Sequence, residues 1–214
     1  MKNLILLFLT LCFFKASFAQ TDSKAKAILD KVSANLKSMQ SMKANFTITI
    51  SNPKTKEKQS KKGSFKMKGN KYYVSIGGQE IFCDNKDIYT FSKENNEAQI
   101  TSFDDDEDAF SPSKIFTNFY DKNYTNKFIG EKTVNGKKVN AVLLTPINKN
   151  KQYTQVILFI DMATNFINSG AVYDKSGSIY GYTISQLVKN PKMDEKEFTF
   201  SKEKYPKVEL VDLR

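Results

Sequence analysis

Apolar residues recur along the chain with two different periods. Ile28, Leu29, Val32, Leu36 and Met39 follow one another at helical spacing, with Lys and Asn on the opposite side, which predicts an amphipathic helix at the start of the folded part. Asp22 or Ser23 is placed to cap it. Beyond that helix the period drops to two. Phe46-Thr47-Ile48-Thr49-Ile50 alternates strictly until Asn52-Pro53, residues 63–68 alternate until Gly69-Asn70, and residues 72–76 until Gly77-Gly78. Shorter runs at 80–83, 88–91 and 99–103 complete this half. In the second half, 124–133 and 138–145 flank Asn135-Gly136, a two-residue hairpin signal, and 153–161, 166–173 and 178–188 follow. A short piece at 198–200 leads to a last segment at 208–211.

Between the halves the pattern breaks. The acidic run Asp104-Asp105-Asp106-Glu107-Asp108 lacks the alternating ligands and the glycine of a calcium loop, so it reads as a solvated segment ahead of a helix. That helix is expected over 112–120, with Ser111 as cap, Pro112 in its first turn, and an aromatic content unusual for its length: Phe110, Ile115, Phe116, Phe119 and Tyr120. About eleven strands joined by tight turns imply antiparallel pairing, and an antiparallel sheet of that size must curl. The expected fold class is mainly β (α+β), an open or nearly closed barrel with helices against its concave side.

The first nineteen residues belong to a different class. Lys2, an unbroken apolar run over 4–14 and Ser17-Phe18-Ala19 read as a cleavable export signal, leaving 20–214 as a single domain. The apolar run is too short to span a bilayer comfortably. Thr10-Leu11 before Cys12 lacks the small residue of a lipid-attachment site. With the leader goes Cys12, so Cys83 is left without an intramolecular disulfide partner.

Composition then removes most enzyme chemistry. Among 214 residues there is no histidine, which excludes Ser-His-Asp and Cys-His catalysis and any histidine-ligated metal. Cys83 has no base to activate it and reads as a small buried apolar residue. The carboxylates Glu80, Asp84, Asp87, Glu131, Asp161 and Asp174 lie mostly at turns, where acidic residues serve local hydrogen bonding. Gly77-Gly78 has no following helix or lysine of a phosphate loop. No catalytic residue, metal or cofactor is expected.

The net charge is +10, carried by lysine, since Arg214 is the only arginine. Nucleic-acid readers rely on arginine, so nucleic acid is not an expected partner. A solvated lysine surface is the plain reading, and attraction to anionic membrane surfaces is the functional alternative. Seventeen Phe and ten Tyr are the more informative inventory. The faces expected to point inward are Phe46/Ile48/Ile50, Phe65/Met67, Tyr72/Val74/Ile76, Ile88 and Val156/Leu158/Ile160. With Phe110, Ile115, Phe116 and Phe119 as a lid, these residues either fill a solid core or line an apolar cavity for a hydrophobic ligand.

The order of several short motifs resembles the periplasmic outer-membrane lipoprotein carrier family, LolA, over essentially the whole exported chain. They are Ile28-Leu29-Asp30-Lys31-Val32, then Lys43-Ala44-Asn45-Phe46-Thr47, Gly63-Ser64-Phe65-Lys66-Met67-Lys68 and Asp84-Asn85-Lys86-Asp87-Ile88-Tyr89-Thr90-Phe91. The Pro112 helix stands in the lid position, and Leu143-Leu144-Thr145-Pro146, Asp174-Lys175-Ser176-Gly177 and Phe198-Thr199-Phe200 follow. The resemblance implies an unclosed antiparallel half-barrel with helices over its concave face and a hydrophobic cavity. It implies a monomeric periplasmic chaperone that takes acylated lipoproteins from an inner-membrane ABC-type release complex to an outer-membrane receptor or the membrane itself. No covalent chemistry is implied. One departure stands out: the family often has an arginine that latches the lid at the end of the strand over 65–68, and this chain reads Lys68-Gly69-Asn70. Two alternatives stay open: a LolA-like carrier of another lipid, and an envelope-sensing binding module.

Overall fold

The computed structural model describes residues 22–103 and 123–214. The expected export signal at 1–19, the acidic run at 104–108, and the expected lid helix with Phe110, Ile115, Phe116 and Phe119 lie outside the described residues.

Helix α1 (Ser23–Lys37) forms where the helical spacing predicts it, and Asp22 caps it. The Asp22 Oδ1 accepts hydrogen bonds from the backbone N–H of Lys24 at 2.9 Å and of Ala25 at 3.1 Å. Among the described residues twelve strands follow: β1 (Ser41–Asn52), β2 (Glu57–Lys68), β3 (Lys71–Ile76), β4 (Gln79–Cys83), β5 (Asp87–Ser92), β6 (Glu97–Ser102), β7 (Tyr124–Val134), β8 (Lys137–Pro146), β9 (Tyr153–Asp161), β10 (Ile167–Asp174), β11 (Ile179–Lys189) and β12 (Glu209–Asp212). A 3₁₀ turn at Glu195–Phe198 stands before β12.

All twelve strands belong to one sheet, ordered β12-β6-β5-β4-β3-β2-β1-β11-β10-β9-β8-β7. The two end strands, β12 and β7, do not pair, so the sheet is unclosed. Neighbours are antiparallel except β12, which runs parallel to β6. The fold is thus mainly β, with one N-terminal helix on an unclosed, mostly antiparallel sheet.

The twelve strands among the described residues agree with the expected count of about eleven. Three expectations are corrected. One pairing is parallel, because the chain crosses the sheet before β12 and returns beside β6. The segment at 198–200 is not a strand; Asp194 and Glu197 form a capping box that winds the preceding residues into the 3₁₀ turn. Strand β2 starts at Glu57, six residues before its apolar alternation, because the polar stretch Glu57–Lys62 is held by ladder bonds to β1. The hairpin at Asn135-Gly136 forms as expected, both residues having positive φ, 51° and 76°.

The side of the sheet that carries α1 is its inner face. There α1 lays Ala25, Ile28, Leu29, Val32 and Leu36 on Val142, Leu144, Val156, Leu158 and Ile160. The second Asp22 oxygen, Oδ2, accepts from the Phe128 N–H of β7 at 3.1 Å, joining the helix start to the sheet edge. Donation from the Ala25 and Phe128 amides holds the Asp22 carboxyl below its ordinary value.

The outer face carries a different cluster over β3–β6. Phe82, Tyr89 and Phe91 receive Phe200 and Tyr205 from the C-terminal segment, with Phe200 stacked on Tyr89 at 5.3 Å between centroids. The Tyr205 hydroxyl donates to the Glu80 carboxylate. Lys66 pairs with Glu197 at 2.6 Å, and Lys68 and Lys71 hold Glu195 at 2.6 and 2.5 Å.

Candidate functional site

The inner face carries apolar rows, interrupted at the start of β2 by Gln59 and Lys61, which stand opposite Ile50 and Ile48. Across β1 to β5, the register sets Met42 opposite Met67, Met67 opposite Tyr72, Tyr72 opposite Cys83 and Cys83 opposite Ile88. A neighbouring row runs Ala44, Phe65, Val74, Ile81. On the other side of β1, Ile48 faces Tyr182, followed by Gly170, Leu158, Val142 and Phe128. Directly opposed side chains in a sheet share a face, so these rows form a continuous strip from β5 to β7.

The sequence-derived candidates within the described residues fall on this strip. Phe46, Ile48 and Ile50 come from β1, Phe65 and Met67 from β2, Tyr72, Val74 and Ile76 from β3, Ile88 from β5, and Val156 and Leu158 from β9. Their surroundings differ. Val156, Leu158 and Ile160 are buried under α1, whereas Phe65, Met67, Tyr72, Val74, Met42 and Cys83 form a second buried cluster. Phe46, Ile76 and Ile88 pack at its margin, Ile48 is half-buried, and Ile50 is 39% exposed. Met39, just beyond α1, and Leu187 of β11 touch both clusters and join them.

Two glycines give the rings room. A Cβ on Gly63 would stand 2.5 Å from the Phe46 ring and 2.6 Å from the Ser75 carbonyl oxygen. A Cβ on Gly170 would stand 2.6 Å from the Tyr182 ring. Each glycine is a shelf that leaves room for an aromatic ring from the neighbouring strand. Tyr182, Ile184 and Leu187 are inner-face residues that sequence reasoning passes over; the alternation Tyr180-Gly181-Tyr182-Thr183-Ile184 is the signal for the first two.

Two titratable groups of the buried cluster on this face have raised pKa values. Burial raises the Tyr72 hydroxyl pKa, and the adjacent Cys83 raises it further. Burial also raises the Cys83 thiol, whose Sγ lies 3.8 Å from the Asn70 carbonyl oxygen. A neutral thiol against a tyrosine in an apolar cluster is a packing element, not a nucleophile.

Candidate carboxylates are committed elsewhere. Asp84 accepts from the Lys86 and Asp87 amides, Asp87 pairs with Arg214 at 3.1 Å, and Asp174 accepts from Ser176 and Ser178. Asp161 is buried, which raises its pKa, but the Thr164 and Ala163 amides and Lys137 outweigh that and leave it lowered. Beside it lies an open cleft of about 450 Å³ lined by Lys137, Lys138, Asp161, Met162 and Ala163, at a sheet end and apart from the inner face. Between α1 and the joined clusters, Leu36, Met42, Phe166, Ile167, Ile184 and Leu187 enclose only about 10 Å³, room for one water at most. Among the described residues, no group of three or more His, Cys, Asp or Glu could hold a metal ion. Among them, too, no helix is long and apolar enough to cross a membrane.

Lys68 stands where the resemblance expects a latching arginine. It projects to the outer face, alternating with Met67, and its ammonium is held by Glu195. It fastens the C-terminal segment from the side opposite α1.

The fold class is thus an unclosed, mostly antiparallel sheet with an N-terminal helix on its apolar inner face. The chain belongs to the sporulation protein YdcC-like family, whose model matches residues 1–198. No curated protein sequence matches it. Among solved structures, an uncharacterized conserved protein from Thermus thermophilus is similar at 12% identity and a TM-score of 0.55, with 88% of this chain and 99% of that one covered. A LolA superfamily protein from Nitrosomonas europaea aligns at 17% identity and a TM-score of 0.43, covering 82% of this chain and 97% of that one. LprF from Mycobacterium bovis aligns at 16% identity and a TM-score of 0.48, covering 80% and 98%. The Thermus structure is the one of these three whose similarity carries the shared fold.

Proposed function

We propose that the protein is a non-enzymatic carrier that holds the acyl chains of lipoproteins against its inner face and conveys them across the periplasm. The observation that carries this reading is the apolar strip continuing from the α1-covered half onto β1–β5, where Phe46, Ile48, Ile50, Ile76 and Ile88 are only partly buried. The motif order of the sequence supports the same reading. Each methylene removed from water contributes about 0.8 kcal/mol, so a carrier needs a long, adjustable apolar surface rather than a few directed polar contacts. Rings lying on glycine shelves and the thioether of Met67 can shift without breaking hydrogen bonds, which suits loading and release.

In this reading the export signal is cleaved after Ala19 and the protein works as a monomer. It receives acylated lipoproteins from an inner-membrane ABC-type release complex and delivers them to an outer-membrane receptor or the membrane itself. The outward commitment of Lys68 to Glu195 favours a second reading in which the cargo is another lipid, since it leaves no arginine latch at that position. Purification from the native envelope followed by mass spectrometry of bound lipid separates the two. Triacylated lipoprotein is expected from the first and a different lipid from the second. A protein that emerges lipid-free and takes up no fluorescent hexadecanoate overturns both.

A further inference from the structure

Three turns at one end of the sheet are stitched into a single rim. They lie between β1 and β2 (53–56), β8 and β9 (147–152), and β10 and β11 (175–178). The Asn52 amide donates to Ser178 Oγ at 3.4 Å, and the Lys54 side chain lies 3.5 Å from where a Gly177 Cβ would stand. The Lys175 ammonium donates to the Lys149 carbonyl at 2.9 Å, and its N–H to the Gln152 carbonyl at 3.0 Å. On this rim Lys54, Lys56, Lys58, Lys149, Lys151 and Lys175 are all exposed. The acidic residues beside them are Glu57, which accepts from Thr55, and Asp174, whose carboxylate is occupied by Ser176 and Ser178. Large apolar side chains stand among the lysines: Ile147 is 58% exposed, Tyr180 40% and Ile50 39%. Ile50 and Tyr180 are cross-strand partners on the inner face, so the apolar part of the rim is continuous with it.

We propose that this rim docks on an anionic lipid bilayer, with the lysines against the headgroups and Ile147 and Tyr180 entering the interface. Ammonium groups on flexible stems suit a diffuse negative surface better than bidentate recognition of one anion, and apolar tips set among them need a partner that is charged outside and apolar within. The turn between β5 and β6 at the same end of the sheet adds Lys93 and Glu94, both exposed. Docking of this kind stands on the rim itself, whether or not the inner face carries acyl chains.

The test is co-sedimentation of the full exported chain with vesicles of phosphatidylcholine alone and of phosphatidylcholine with about a third phosphatidylglycerol. Binding is expected only to the anionic vesicles, and it should weaken as salt rises. Each lysine removed among Lys149, Lys151 and Lys175 should lower the partition coefficient about fivefold. Ile147→Ser should lower it further while leaving retention on dextran sulfate unchanged. These positions are exposed, so an unchanged melting temperature is expected and checks folding. No anionic preference, or binding untouched by Lys149→Glu, Lys151→Glu and Lys175→Glu together, overturns the proposal. Vesicle binding that ignores Ile147→Ser and matches dextran sulfate in strength also overturns it, leaving a polyanion site instead.

Discussion

The two halves of the inner face share chemistry but not packing. Under α1, Leu29, Val32, Val142, Leu144, Leu158 and Ile160 are almost completely buried and interlock helix with sheet. Across β1, the half formed by β1–β5 is apolar at its centre but mixed at its margin, where Ile48 and Ile50 stand opposite Lys61 and Gln59 and Ile76 opposite Gln79; Phe46, Ile48, Ile50, Ile76 and Ile88 stay partly open there, and among the described residues no helix covers them. The first half is closed over by the helix, whereas the second has a buried centre of Met42, Phe65, Tyr72 and Cys83 and an open margin. The difference arises from α1, whose apolar stripe of Ala25, Ile28, Leu29, Val32 and Leu36 is wide enough for only half of a twelve-stranded sheet.

Mutations that weaken one half and spare the other would break this comparison or sharpen it. Leu158→Ala leaves a hole beneath α1 and should lower the unfolding free energy by about 3 kcal/mol in a denaturant titration, with uptake of fluorescent hexadecanoate little changed per folded molecule. Ile50→Ala should reverse the pattern, costing about 0.5 kcal/mol or less while weakening uptake. Equal stability losses at the two sites would refute the division. Gly63→Ala comes next. Its Cβ meets both the Phe46 ring and the backbone oxygen of Ser75, and the backbone cannot step aside, so a loss of about 1–3 kcal/mol with reduced uptake is expected.

Asp22→Ala acts at the helix start. It removes the acceptor shared by Lys24, Ala25 and Phe128, so amide exchange in the first turn of α1 should quicken while β1–β5 is unaffected. The folded-state pKa of Asp22 is depressed, so its contribution is complete above the unfolded carboxyl value of 3.8 and fades as pH falls through the lower folded one. Asp22→Asn should retain part of the cap and lose the pH dependence. The smallest effect belongs to the outer face. Glu195, held at about 2 by Lys68 and Lys71, contributes above its ordinary value of 4.5 and loses that contribution as pH falls toward 2. Glu195→Gln should speed exchange around Phe198 without changing fatty-acid uptake; a change in uptake would mean that Lys68 acts on the inner face after all.

Where a strand has one apolar and one polar face, its side-chain alternation is readable in advance. Phe46/Ile48/Ile50, Phe65/Met67 and Val156/Leu158 group together by that alternation, and the register places them on one face. Strand residues Glu57–Lys62 escape it because both of their faces are polar and only pairing with β1 makes them extended. The parallel pairing of β12 escapes it because nothing local in Glu209–Asp212 reports a partner more than a hundred positions earlier. The aromatic wrap on the outer face is hidden for a related reason: Tyr73, Phe82, Tyr89 and Phe91 alternate with the inner-face set, and a strand apolar on both sides does not say which side is covered by what. The lid residues of the candidate site lie outside the described part of the chain, so only the strand-borne candidates can be placed.

The junction of β1 with β11 has a consequence for how the chain reaches this state. Strands β2 to β6 and β7 to β11 each pair with sequence neighbours, whereas Asn45 meets Gln186, 141 positions later. Two meanders can therefore zip up early and independently, but the seam between them closes only after the last long strand has been made, and loop-closure entropy makes that step the slow one. Until then one flank of β1 is an unsatisfied row of amides and carbonyls beside a greasy surface, the period when a newly made molecule is most open to capture by a chaperone or by its own kind.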